Sequence, residues 1–312
     1  MMKKFLVLWL VLAVCGLALA GGKKEAGGEK HYLFGETHMD LTDPFHNTIR
    51  ETIQKAVEAR GDRLIYFDGA LDQTRQNNGI EDMITQGIDI LFLNPVDSQG
   101  VLPMLEACRD AGIKVIAIDS GVSRPDLTVT YIHDDHYQGG VLTGKEIIRL
   151  YPNGAKICLL ENPLAESVVS RVKGLEDSIR GSKSVIVDRK AVTRMEQILT
   201  FTEDLLQAHP DMDVFWSLNS DIALMIEGVL TSAGVADRVK VLSVGGGPAE
   251  KKNIADGGVW ATAAQSPITV GSKAVEVAYK ILAGEKVDPE YPCDLKWITQ
   301  ENIANFNTAV WE

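Results

Sequence analysis

The sequence predicts an α/β protein made of two doubly wound, parallel-sheet lobes. Three observations carry that expectation. Short apolar runs rich in Val, Ile and Leu alternate with segments of helical period. The glycines that end successive helices, Gly61, Gly87 and Gly112, stand 26 and then 25 residues apart, and the same beat resumes in the second half of the chain. A period of that size is what βαβ units with right-handed crossovers produce. Unbroken apolar strands are expected where helices cover both faces of a parallel sheet.

The elements follow in order. After a strand over 31–37, Asp43 and Pro44 make a helix start, with Ile49, Ile53, Ala56 and Val57 on one face and Gly61 as the stop. A strand over 64–67 precedes a helix with Ile80, Met83 and Ile84 inward, ended by Gly87. Next come a strand over 88–93, Pro95, a helix carrying Leu102, Leu105 and Cys108, then Gly112 and a strand over 115–118. The second half reads as strand 157–160, helix 167–179, strand 185–187, helix 195–208, strand 214–217, helix 221–233 and strand 239–244. In such sheets ligands sit outside the carboxyl ends of the strands, so the loops there hold the candidate functional residues.

The first 30 residues lie outside this pattern. Lys3 and Lys4, the apolar run 5–14 and Ala18-Leu19-Ala20 are the three parts of a secretory signal peptide, read as residues 1–20. A transmembrane anchor is one rival, but the run reaches the required length of about 20 only by counting the weakly apolar stretch 16–20. Lipidation at Cys15 is another, since Leu12-Ala13-Val14-Cys15 loosely resembles a lipobox in which Val14 is large for its position. Residues 21–30 are small and charged and read as a flexible linker. The roughly 280 residues that remain exceed one ordinary domain. A formal charge of −12, with no basic cluster interleaved with aromatics, argues against nucleic acid as a partner. Cys108, Cys158 and Cys293 lack the spacing of a disulfide framework. Cys108 and Cys158 read as small buried hydrophobes, with a bridge between two of the three as the alternative.

Four stretches invite a chemical reading. In the loop over 37–46, Asp43 caps a helix, but His38, Asp40, Phe45 and His46 are more than a cap requires and can present a ring and polar groups to a ligand. Asp119 ends a parallel strand, where a carboxylate can accept two hydrogen bonds from neighbouring hydroxyls; a turn-forming Asp is the plain alternative. His133-Asp134-Asp135-His136 has the residue types of a metal site. Neighbours on an extended segment point to opposite sides, however, so no metal is expected and a loop is the default. Gly245-Gly246-Gly247-Pro248 could cradle phosphate, but reads equally as a sharp strand-to-helix turn. No G-x-S-x-G elbow, Walker loop or dinucleotide fingerprint is present, so neither catalytic residues nor a cofactor is expected.

The stretches 43–45 (DPF), 76–119, 134–140 (DDHYQGG), 171–174 (RVKG), 205–224 and 264–287 together resemble the type I periplasmic binding proteins. The resemblance is to the ribose-binding-protein branch, whose fold is shared with regulatory domains of LacI-type repressors. It implies a first lobe of 31–135 plus 266–293 and a second of 136–265 plus 294–312, joined by a three-crossing hinge near 135, 265 and 293. It implies a periplasmic solute-binding component of an ABC importer, closing on a monosaccharide or related polyol and passing it to the permease. Presentation to a membrane sensor or chemoreceptor is the alternative. A LacI-type regulator would need an N-terminal helix-turn-helix where this chain has an export signal, and an α/β enzyme has no motif behind it.

Residue by residue, the resemblance implies that Asp43 and Phe45 are the polar-then-aromatic pair of the first lobe. Asp119 is the strand-end acceptor, Arg171 the arginine of the second lobe, and Asn219 and Gln265 the amides at the second lobe and hinge. With Asp40 and His46 from the loop, these make the expected ligand site. Asp135 matches the first hinge crossing and is expected to be structural. Three positions depart from the ribose-type pattern: Ser120 replaces an arginine, His46 a second aromatic and Gly246 an aspartate. Trp216, beside Asn219, is weighed as a substitute stacking surface against the plainer reading of a buried strand tryptophan.

Overall fold

The computed structural model describes residues 31–312, so the signal, linker and Cys15 readings lie outside the described residues. The first sheet contains β1 (Leu33–His38), β2 (Arg63–Asp68), β3 (Ile90–Leu93), β4 (Lys114–Ile118), β5 (Thr130–Asp134) and β11 (Glu290–Cys293). It is covered by α1 (Pro44–Glu58), α2 (Gln73–Thr85), α3 (Leu102–Asp110) and α9 (Pro267–Leu282). The second contains β6 (Lys156–Glu161), β7 (Val185–Ala191), β8 (Val214–Ser217), β9 (Lys240–Gly245), β10 (Ala261–Ala264) and β12 (Lys296–Thr299). Its helices are α4 (His136–Leu150), α5 (Glu166–Ile179), α6 (Gln197–Ala208), α7 (Ser220–Ser232) and α8 (Pro248–Ala255).

The strand orders are β11-β5-β4-β3-β1-β2 and β12-β10-β9-β8-β6-β7, so one plan is used twice. Every pairing is parallel except that β12 runs antiparallel to β10. Both faces are buried as the apolar runs predict. In β3, Ile90 and Phe92 join the cluster beneath α1 and α9, while Leu91 and Leu93 join the cluster beneath α2 and α3. Gly61, Gly87 and Gly112 end their helices with φ of +80°, +75° and +77°, a left-handed turn that glycine adopts without steric penalty.

The segment 133–136 corrects the expectation of a loop. His133 and Asp134 end β5, Asp135 caps α4 by accepting from the Gln138 N–H, and His136 is the first helical residue. The three chain crossings are laced together here. The Asp135 N–H donates to the Cys293 carbonyl (3.0 Å), and Asp134 accepts from the Ser266 N–H (3.1 Å) and Gln265 Nε2 (3.2 Å). Asp135 is thus the cap at the crossing, and Asp134 is the residue that ties the strands together.

In the second lobe α4 and α5 pack backbone against backbone. A Cβ on Gly140 would lie 1.8 Å from the Arg171 carbonyl oxygen, and one on Gly174 2.0 Å from that of Tyr137, so only glycine fits. These are the glycines of DDHYQGG and RVKG, and their contact fixes where Arg171 starts. Trp216 is fully buried and donates to Thr143 Oγ1 (3.3 Å), which gives it the plainer of its two readings. Cys108, Cys158 and Cys293 are buried free thiols. Among the described residues no helix is long and apolar enough to cross a membrane.

Candidate functional site

The cleft between the sheets is shut. The Ser98 N–H donates to the Leu164 carbonyl (3.1 Å), the Ser167 N–H to Ser120 Oγ (3.2 Å), and Asn219 Nδ2 to Asp43 Oδ2 (3.2 Å). Between them lies a cavity of about 360 Å³, at the small end of the roughly 300–1,000 Å³ usual for small-molecule sites. Asp40, Asp43, Phe45, His46, Asp119, Arg171, Asn219 and Gln265 all line it. His38 does not: it is buried at the end of β1, its Nε2 bonded to Glu36 Oε1 (2.7 Å).

Asp119 is the centre of the polar wall. It follows β4 with φ of +58°, a left-handed conformation that Asp tolerates better than most residues but still at a cost. The turn is held from three sides: its N–H donates to the Ile132 carbonyl (2.9 Å), and its carbonyl accepts from Tyr131 Oη (2.7 Å) and His136 Nε2 (2.6 Å). Asn94 Nδ2 donates to Oδ2 (3.1 Å), His46 Nε2 lies 3.5 Å from the same oxygen, and Arg171 Nη2 lies 4.0 Å from Oδ1. Oδ1 itself is buried with no hydrogen-bond partner. Burial opposes the charge, but His46 and Arg171 outweigh it and hold the carboxyl well below the usual range.

The two histidines beside it are in opposite states. His46 has an acceptor at each ring nitrogen, the Asp40 carbonyl at Nδ1 (2.8 Å) and Asp119 at Nε2, so it is suited to the imidazolium form. Burial works against that charge, yet Asp43 and Asp119 raise its pKa to about 9. His136 donates from Nε2 to the Asp119 carbonyl and accepts at Nδ1 from Arg171 Nε and Nη2 (both 3.2 Å). That pattern demands the neutral ring, and burial followed by Arg171 lowers its pKa to about 3. Arg171 also donates from Nη1 to the Leu218 carbonyl (2.6 Å), leaving a second N–H on each terminal nitrogen uncommitted.

The remaining expected residues divide by what they already hold. Asp43 caps α1 through the Phe45 N–H (2.8 Å) and takes Asn219 across the cleft, while Asn219 Oδ1 caps α7 through the Ile222 N–H (2.9 Å). Gln265 commits Nε2 to Asp134 and keeps Oε1 for the cavity. Asp40 Oδ1 accepts from the Thr42 N–H and Oγ1 (2.9 and 2.7 Å), which leaves Oδ2 uncommitted. Phe45 is the buried aromatic of the wall.

Ser120 and Gly246 have steric explanations. Ser120 is fully buried where it accepts from the first turn of α5, so an arginine side chain has no room. Gly246 has φ of +87°, and a Cβ there would lie 2.3 Å from that of Ala264. The turn it makes is held instead by the buried Glu250, whose Oε2 accepts from the Gly246 N–H and Ser220 Oγ (both 2.7 Å) and whose Oε1 accepts from Ser243 Oγ. Sequence reasoning missed the roles of Asn94, Asp134, Glu250 and Trp311; the partners of Asn94, Asp134 and Trp311 are distant in the chain, while Glu250 joins near partners to the distant Ser220. Glu250 sits in the first turn of α8, where an acidic residue reads as ordinary helix-end complementarity.

Comparison with known proteins follows the same lines. Residues 38–286 match the family of the periplasmic binding protein domain. The ribose import binding protein of Salmonella typhimurium is 32% identical over 263 residues, covering 84% of this chain and 88% of that protein. Its counterpart in Bacillus subtilis is 30% identical over 277 residues, covering 88% and 90%. Among solved structures, an ABC transporter solute binding protein from Mycobacterium smegmatis with bound glycerol superposes with a TM-score of 0.84 at 30% identity, covering 91% of this chain and all of that one.

Proposed function

The chain belongs to the periplasmic binding protein family, and on that premise we propose that it is the exported solute-binding component of an ABC importer, closing on a monosaccharide or polyol. The observation that carries the ligand class is Asp119, a carboxylate residue of the cavity wall whose buried Oδ1 has no hydrogen-bond partner. An unpaired buried acceptor is unfavourable until a hydroxyl donates to it. Arg171, with uncommitted N–H bonds, and Gln265, with Oε1 uncommitted, line the same cavity, a mixture of donors and acceptors suited to a polyhydroxylated solute. Phe45 gives the apolar face of a sugar ring a surface to stack on.

In this reading the first lobe comprises 31–135 plus 266–293 and the second 136–265 plus 294–312. Ligand contacts to Asp43, Phe45, His46 and Asp119 on one lobe and Arg171 and Asn219 on the other favour the shut form, because only that form satisfies both sets. The permease then recognises the paired lobe surfaces. Calorimetric and thermal-shift titration of the purified protein with D-ribose, L-arabinose, myo-inositol and glycerol tests the ligand class. At least one is expected to bind and raise the melting temperature. Silence from all four would overturn the sugar reading.

A further inference from the structure

Trp311 lines the cavity from outside the strand-end loops. The chain reaches it from the second lobe, where Ile303 and Phe306 pack into the core around α7 and β8. Residues 310–312 are then fastened to α8. The fully buried Lys251 donates from Nζ to the Val310 carbonyl and to Glu312 Oε1, both at 2.5 Å. A buried ammonium is tolerated only when paired in this way, so the two bonds hold the segment in one place.

From that anchor the indole crosses to the other lobe. Its ring lies 5.6 Å from the Phe45 ring at an interplanar angle of 68°, the edge-to-face arrangement that aromatic pairs prefer, and it packs on the first-lobe cluster that holds Ile49. On its other side it lies over Gly247, where an added Cβ would be 3.1 Å from its Cη2. Gly247 therefore makes room for it.

We propose that Trp311 is a ligand-contacting residue forming an aromatic corner with Phe45, and that residues 307–312 are a strap whose docking on Phe45 accompanies closure. The proposal deepens the closing-cleft reading above and rests on it. The corner restores the second aromatic surface that His46 does not supply. Because the strap is fixed to the second lobe and Phe45 to the first, the ring contact forms when the lobes shut and breaks when they part.

The test uses Trp311→Ala, Trp311→Phe and Lys251→Met in the full chain. For whichever of D-ribose, L-arabinose, myo-inositol and glycerol binds the unaltered protein, Trp311→Ala is expected to weaken binding about tenfold, mainly through faster dissociation. Trp311→Phe is expected to stay within about threefold, and Lys251→Met to fall between. Unchanged affinity and dissociation rate in Trp311→Ala would overturn the proposal. A ligand-free arm separates this from failure of the sugar reading. Because Lys251 holds the strap on the second lobe even when the lobes part, the emission difference between the unaltered protein and Trp311→Phe should be quenched by acrylamide less efficiently than the same difference measured in the Lys251→Met background. Equal quenching in the two backgrounds would overturn the strap even if none of the four solutes binds.

Discussion

Asp119 after β4 and Gly246 after β9 occupy equivalent places in the two sheets, each directly beyond the third strand in the order and each with positive φ. Each turn is accompanied by one buried carboxylate, and the lobes satisfy it in opposite ways. In the first lobe the carboxylate belongs to the turn residue, is neutralised by His46 and Arg171, and keeps one oxygen unpaired. In the second it comes from Glu250 behind the turn, accepts from Ser220, Ser243 and Gly246, and has no oxygen left over. Burial dominates there and raises its pKa. The same backbone device thus supports a charged carboxylate in the cavity wall on one side and a closed structural knot on the other.

Substitution at the two carboxylates should separate them. Asp119→Ala is expected to weaken sugar binding at least about 100-fold, since it strands two buried cations, while Glu250→Gln should cost about 1–2 kcal/mol of stability and less than about fivefold in affinity. Titration and melting of both variants check this; equal affinity losses would erase the distinction. A smaller effect is expected from Gly140→Ala, which drives a methyl into the Arg171 carbonyl. Overpacking of this kind costs about 1–3 kcal/mol, and the accompanying shift of α5 should reduce affinity through Arg171. Denaturant melts and calorimetry on that variant give both numbers.

The smallest effect sits between the lobes. Burial, with a contribution from Asp119, raises the Asp134 pKa to about 7. The native state therefore holds this proton more tightly than the unfolded chain. The group's stabilisation is fully present below about pH 4, declines as pH rises and is gone above about 7. Asp134→Asn should flatten the stability–pH curve across that window, and an unchanged slope in melts from pH 4 to 8 would refute the assignment.

The doubly wound plan was legible because parallel strands announce themselves as apolar runs and helix-ending glycines mark the period. What stayed hidden lies where those signals fail. Thr130–Asp134 is a genuine strand, but it ends in His-Asp because the crossing is held by polar groups rather than by packing. The eight expected site residues do line one cavity, since strand-end loops converge by topology. Asn94 and Trp311 could not be read the same way: their roles depend on Asp119 and Phe45, 25 and 266 residues away. Glu250 stayed hidden because its near partner Gly246 is a backbone N–H and its side-chain partner Ser220 is 30 residues away.

The three buried thiols have a consequence for the conditions the protein can endure. Burial pushes Cys108 and Cys158 up to about 12 and Cys293 up to about 11. At pH 7 the reactive thiolate is then roughly one molecule in 10⁴ to 10⁵ at each position, against a few per cent for an exposed cysteine. Burial thus keeps these three thiols both out of reach and in the less nucleophilic protonated form.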